Sequence, residues 1–291
     1  MLSTYIHPLF LDALILFVAV AGTYEMSKAV SNVMSPAVLA IDMVSVGLGF
    51  AAFWFAQYFF KMYSIGLAAY MIVLVVMVII TFIVTGASKR YVTGNAISTV
   101  LVMMYPCALL MFTMGFNYFI SPDAGMYGAM GAGSTPFRNA AITLIFTVPT
   151  FTDMMAYAVG SRLKGKKLCP SISPNKTVSG AIGGLVGGLL ASGLILLCTF
   201  LAVHFDVNIC GLAMITDEWW STIVLMLVLG LVGSVFDQAG DLVASYIKRK
   251  AGIKDFSNLL PGHGGVLDRM DGFMFCGVFF YLFFSVLILA V

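Results

Sequence analysis

Asp237, Asp241, Ser245 and Lys248 follow one another at intervals of four, four and three residues. On a helix that spacing puts two acids, a hydroxyl and a base on one face. The run around them is otherwise apolar. A charge at mid-bilayer costs at least about 2.5 kcal/mol on insertion scales, so such residues face a polar cavity and a partner. The chain then reads Lys254-Asp255, Pro261-Gly262-His263-Gly264-Gly265 and Asp268-Arg269-Met270-Asp271. A proline and three glycines within five residues preclude an ordinary helix. They suit a tight turn whose N–H groups can approach a phosphate. Carboxylates on two adjacent helix ends, surrounded by bases, can hold divalent cations against a polyphosphate.

Long apolar runs must position these groups. Of the 291 residues, 61% are hydrophobic and 10% charged, against about 45–50% and about 25% in a soluble domain. Mean hydropathy is +1.02. A soluble enzyme is excluded, and a net charge of +2 gives no basic surface for nucleic acid. The five cysteines form no CxxC pair and no metal-type spacing. Runs of about 20 apolar residues, the length that crosses a bilayer, lie near 9–29, 36–58, 64–86, 96–120, 137–161, 179–203, 220–247 and 271–291. The expected fold is therefore an all-α polytopic integral membrane protein with eight transmembrane helices. It reads as one domain over 1–291, with spans one to four in 1–120 and the catalytic spans five to eight in 137–291.

Of fifteen lysines and arginines, all but Lys61 and Arg138 fall on or beside the loops after spans one, three, five and seven. The positive-inside rule makes those loops cytoplasmic and puts both termini outside. Asp241 and Asp268 then lie at the cytoplasmic ends of the last two spans. Glu25 and Asp42 read as helix-end carboxylates paired with a nearby lysine. Lys164, Lys166 and Lys167 read as an anchor for anionic lipid. The Gly-rich stretch Met126–Ser134 reads as an external connector. Gly180, Gly184 and Gly188, with Gly183 and Gly187, make small-residue faces on span six. Such faces suit close packing within the protomer, a homodimer seam being the alternative.

The ordered run Ser245, Lys248, Arg249, Lys254, Asp255, then Pro261 to Gly265, Asp268, Arg269 and Asp271, resembles the phosphatidate cytidylyltransferase family. A weaker resemblance lies upstream in Asp153, Ala156, Tyr157 and Gly160, followed by Ser173, Pro174, Lys176 and Thr177. The two stretches span about the second half of the chain; Glu25 is the one match in the first half. Where the family has Trp-Glu-Gly after Lys-Thr, this chain has Val178-Ser179-Gly180, and it has Ala244 in place of a glutamate. Asp237, one turn before Asp241, is expected to replace the missing carboxylate.

The resemblance implies transfer of a cytidylyl group from CTP to phosphatidic acid, releasing pyrophosphate, in a bacterial plasma membrane with the site facing the cytoplasm. It implies magnesium, held by Asp241 and Asp268 with Asp271, Asp237 and Asp153 as further candidates; a second cation is left open. Lys248, Arg249, Lys254 and Arg269 are the expected phosphate clamps. Ser173, Lys176, Thr177, Ser245, Gly264 and Gly265 are expected at the substrate. His263 either contacts substrate or braces the turn. Competing readings are an isoprenoid-lipid cytidylyltransferase, a polyprenol kinase and, less favoured, a transporter, for which the expected repeats are absent.

Overall fold

The computed structural model describes residues 8–60, 63–116, 136–207, 209, 212, 214–216, 218–262 and 264–290. His263 and the Met126–Ser134 stretch lie outside them. Among the described residues eight helices are long and apolar enough to cross a membrane. They are α1 (Pro8–Val30), α2 (Leu39–Phe60), α3 (Tyr63–Ala87), a composite fourth span, α6 (Pro136–Leu163), α7 (Val178–His204), α8 (Trp219–Lys250) and α9 (Leu267–Ala290). The fourth span joins α4 (Thr93–Val102) to α5 (Leu109–Gly115) through a π-helical turn at Met103–Ala108. Pro106 lies in that turn, and Tyr105 before it is extended, at φ −123° and ψ 107°. A proline has no N–H for the helical ladder and pushes its predecessor out of the α region. The expected all-α polytopic fold is the observed one.

Two helix ends matter for the site. α8 runs on to Lys250, so Lys248 and Arg249 lie on its last turn, where cations complement the helix dipole. Gly252 ends it in the left-handed region, at φ +69°. α9 begins at Leu267 rather than near 271, so Asp268 stands in its first turn and Asp271 within it. The basic loop after α6 is also more ordered than expected. It folds as an antiparallel hairpin, β1 (Lys167–Cys169) and β2 (Ser173–Thr177), pairing Lys167 with Thr177 and Cys169 with Ser173.

The chain forms two compact units. One comprises residues 9–118 and 246–270 and holds α1 to α5 with the segment after α8. In it α2 and α3 meet where Gly49 admits the ring of Tyr70; a Cβ there would stand 2.6 Å from the ring. Tyr70, Phe53 and Met111 are fully buried in its core. Asp42 is buried, and among the described residues neither carboxylate oxygen has a hydrogen-bond partner and no lysine pairs with it.

The other unit comprises residues 1–8, 119–245 and 271–291. Here α7 uses both of its glycine faces within the protomer. Gly183 packs on Val159 and Met155, and Gly187 on the Phe151 carbonyl of α6. Gly188 packs on Gly230 and Ser234 of α8. Because a backbone carbonyl cannot rotate away, Gly187→Val is expected to push α6 from α7 and cost about 1–3 kcal/mol or more. Thermal unfolding in detergent checks this. Gly193→Val is the control, since a Cβ at Gly193 meets nothing within 4 Å.

Candidate active site

In the unit holding α6 to α8, a cavity of about 460 Å³ opens beside the hairpin. That volume lies within the range of ligand clefts. Asp153, Ala156, Tyr157 and Gly160 line it from one face of α6, as their spacing of three, one and three residues dictates. Asn175, Lys176 and Thr177 line it from β2, Gly180 and Ala181 from the start of α7, and Gln238 and Asp241 from α8.

The hairpin is latched in place by its neighbours. Val178 N–H donates to Lys166 O at 2.9 Å. Ser179 Oγ donates to Lys164 O. Thr177 caps α7 by accepting the Gly180 N–H at 3.1 Å, which satisfies one of the orphan donors of a helix start. These bonds deliver Lys176 to Asp241, and the two form an ion pair. Ser245 Oγ lies 3.4 Å from the other Asp241 oxygen.

Asp237 lies one turn before Asp241 and is 2% exposed, and among the described residues its Oδ2 has no hydrogen-bond partner. Asp153, Asp271 and Asp241 are the like charges acting on it, with Lys176 opposing them. α9 comes this close to α8 because of two glycines. A Cβ at Gly272 would collide with Asp237 Oδ1, and one at Gly240 would stand 2.6 Å from the Asp271 carbonyl. Asp237 thus lies among three other carboxylates and Lys176. Among the described residues no three of them are arranged to hold a metal ion, so holding a cation requires side-chain rotation. Their hard oxygen donors and the orphaned Asp237 Oδ2 suit a hard divalent ion.

The second polar group belongs to the other unit and centres on the turn before α9. Lys248 Nζ lies 2.7 Å from Asp268 Oδ1, with both side chains largely buried, 12% and 7% exposed. Asp268 Oδ2 accepts the N–H groups of Phe256 and Gly265 at 2.8 and 2.9 Å. Leu260 N–H closes the turn on Gly264 O at 3.0 Å. Gly262 and Gly264 have φ of +75° and +84°, a region that L side chains rarely adopt. Glu25 of α1 holds the far end of the turn. It accepts Ser257 Oγ–H at 2.5 Å and the N–H groups of Val266 and Leu267, each at 2.9 Å. Arg249, Lys254 and Arg269 are exposed.

The sequence-predicted residues therefore fall into two groups. Asp153, Lys176, Thr177 and Asp241 line one cavity, with Asp237 and Asp271 beside them and Ser245 bonded to Asp241. Lys248, Asp268, Gly264 and Gly265 meet in the turn. Ser173 pairs with Cys169 in the hairpin and is not among the cavity-lining residues. Glu25 binds a hydroxyl and two amides rather than the expected lysine. Asn175 and Gln238, both lining the cavity, were not singled out by the sequence. Lone amides carry no spacing signal.

Residues 1–287 match the model of the cytidylyltransferase family, and the chain belongs to that family; it is a nucleotidyltransferase. It is 36% identical over 209 residues to the phosphatidate cytidylyltransferase of Brucella abortus biovar 1 (strain 9-941), covering 69% of this chain and 70% of that one. It is 36% identical over 178 residues to that of Bacillus subtilis (strain 168), covering 60% and 55%. It is 40% identical over 134 residues to that of Staphylococcus aureus (strain COL), covering 46% and 45%.

Proposed function

We propose that this chain transfers the cytidylyl group of CTP to phosphatidic acid, forming CDP-diacylglycerol and pyrophosphate. The observation that carries this reading is the cavity. It gathers Asp153, Lys176 and Asp241 from three elements of the chain, in the order and spacing that the family resemblance requires. A phosphatidic acid oxygen attacks the α-phosphorus of CTP in line. The new P–O bond forms as the bond to the pyrophosphate oxygen breaks, and pyrophosphate leaves with that electron pair. The attacking phosphate is already ionised near neutral pH, so no covalent nucleophile or strong general base is needed.

The difficulty is bringing anions together. Lys176, already paired with a carboxylate, can turn to an incoming phosphate. Thr177 and the start of α7 offer further donors beside it. Lys248, Arg249, Lys254 and Arg269 supply positive charge at the second group. Asp241, Asp237, Asp153 and Asp271 would hold a divalent cation, magnesium being the expected one. Within its own unit, Asp268 keeps a lone pair on Oδ1 beyond its bond to Lys248 and is a candidate ligand there. A bound cation would neutralise charge on the phosphate oxygens and leaving group. The basic loops, facing the cytoplasm by the positive-inside rule, would put this chemistry where CTP is.

Supplying purified protein with labelled CTP and either phosphatidic acid or a polyprenyl phosphate tests the acceptor. Product from phosphatidic acid with equimolar pyrophosphate is expected. Product only from the isoprenoid acceptor would replace this reading by its nearest competitor. Lys176→Met is expected to lower kcat/KM about 10²-fold by removing one phosphate contact, with unfolding in detergent unchanged because its partner Asp241 is part-exposed.

A further inference from the structure

We infer that Glu25, on the first span, is a positioning residue for the glycine-rich turn, and that Gly265 is a glycine because Glu25 occupies its side-chain space. This rests on the functional reading above only for its kinetic consequence. The first N–H groups of any helix have no partner within it and carry the positive end of its dipole. At α9 that place is filled from a helix more than 240 residues away in sequence. Glu25 is 1% exposed, and its two oxygens take the N–H groups of Val266 and Leu267 together with the Ser257 hydroxyl. One carboxylate therefore ties both ends of the turn, Ser257 before it and Val266–Leu267 after it. Three charge-assisted bonds converge on a buried group, an arrangement stronger than neutral pairing.

The fit leaves no slack. A Cβ on Gly265 would stand 2.8 and 2.9 Å from the two Glu25 oxygens. One turn earlier on α1, a Cβ on Gly22 would stand 2.9 Å from the Leu267 side chain. The Gly265 N–H is itself given to Asp268. Glu25 and Asp268 together absorb three consecutive amides, so the turn is shaped by protein carboxylates at its far end. What Glu25 sets is the placement of Gly264, Asp268 and Arg269; it does not itself meet substrate.

The test compares Glu25→Gln, Glu25→Asp, Gly265→Ala and the pair Gly265→Ala/Glu25→Asp in detergent. Glutamine turns an N–H₂ donor toward a backbone donor. Glu25→Gln is expected to lower kcat/KM for CTP about 10²-fold, as a misplacement of about 1 Å does. KM for phosphatidic acid should stay near wild type, and the unfolding temperature should fall, because buried amide donors lose their acceptor. Hydrogen exchange at Val266 and Leu267 should quicken in this variant. Gly265→Ala should fall similarly, and the shorter aspartate in the pair should recover part of the loss. Ser257→Ala keeps both backbone bonds and should give a milder form of the same defect. Wild-type constants for Glu25→Gln would overturn the inference. So would unchanged exchange at 266–267, or a pair no better than Gly265→Ala alone. The exchange measurement does not use the reaction, so an inactive wild-type protein would count against the functional reading and leave this inference to the exchange result.

Discussion

Replacing Lys248 by alanine is expected to lower the unfolding free energy by about 3–5 kcal/mol and to abolish turnover. Asp268 stays behind with its side chain 7% exposed and the Lys248 ammonium gone. Two amides still hold its other oxygen, but amide dipoles do not cancel a full charge. The aliphatic stem also leaves the Phe256 ring, over which the ammonium now lies at 5.5 Å. Lys248→Arg keeps the charge and should retain most stability. Lys248→Ala combined with Asp268→Asn removes both charges and should recover stability without recovering activity. Thermal unfolding in detergent beside the turnover assay separates these outcomes. If the double variant is no more stable than Lys248→Ala, the buried pair does not carry the turn.

Asp237→Asn is expected to move stability and activity in opposite directions. The native carboxylate is buried with an oxygen lacking any partner, and three like charges act on it. An unmade bond on a buried polar group costs about 1–3 kcal/mol. Asparagine presents an N–H₂ to the neighbouring carboxylates and gives the buried group hydrogen-bond partners, so the cation-free protein should gain stability of that order. Turnover should fall about 10²–10³-fold, the loss typical when one stabilising group is taken from a transition state. The cation concentration needed for half-maximal activity should rise. A variant with wild-type activity and cation dependence would remove Asp237 from the proposed cation site. A variant less stable than wild type would mean that the carboxylate is tolerated through contacts not seen in its oxygen atoms.

The spans were legible because lipid demands about 20 apolar residues per crossing, and few other patterns supply them. The motif from Ser245 to Asp271 was legible as chemistry because acids, bases and glycines are conspicuous in such a background. Its geometry was less so. The extension of α8 to Lys250 and the early start of α9 at Leu267 are set by hydrogen bonds at their ends. Strands of three and five residues, Lys167–Cys169 and Ser173–Thr177, are too short to show alternation, so the hairpin that delivers Lys176 was read as a loop. Glu25 was read as a helix-end acid paired with a lysine because two of its actual partners are backbone amides, which leave no mark in a sequence. Asp42 shows the reverse case: a lysine partner was expected from its place near a span end, and the fold buries it with none among the described residues.

The central claim is that this chain moves a cytidylyl group onto phosphatidic acid at the site containing Asp241. The most direct measurement is CDP-diacylglycerol formed from CTP and phosphatidic acid by wild-type protein and by Asp241→Asn, each shown to be folded by its unfolding profile. The account predicts CDP-diacylglycerol and pyrophosphate in equal amounts from the wild type, and a rate lower by about 10³-fold from the variant. No product from the folded wild type, or a variant as fast as the wild type, would contradict it.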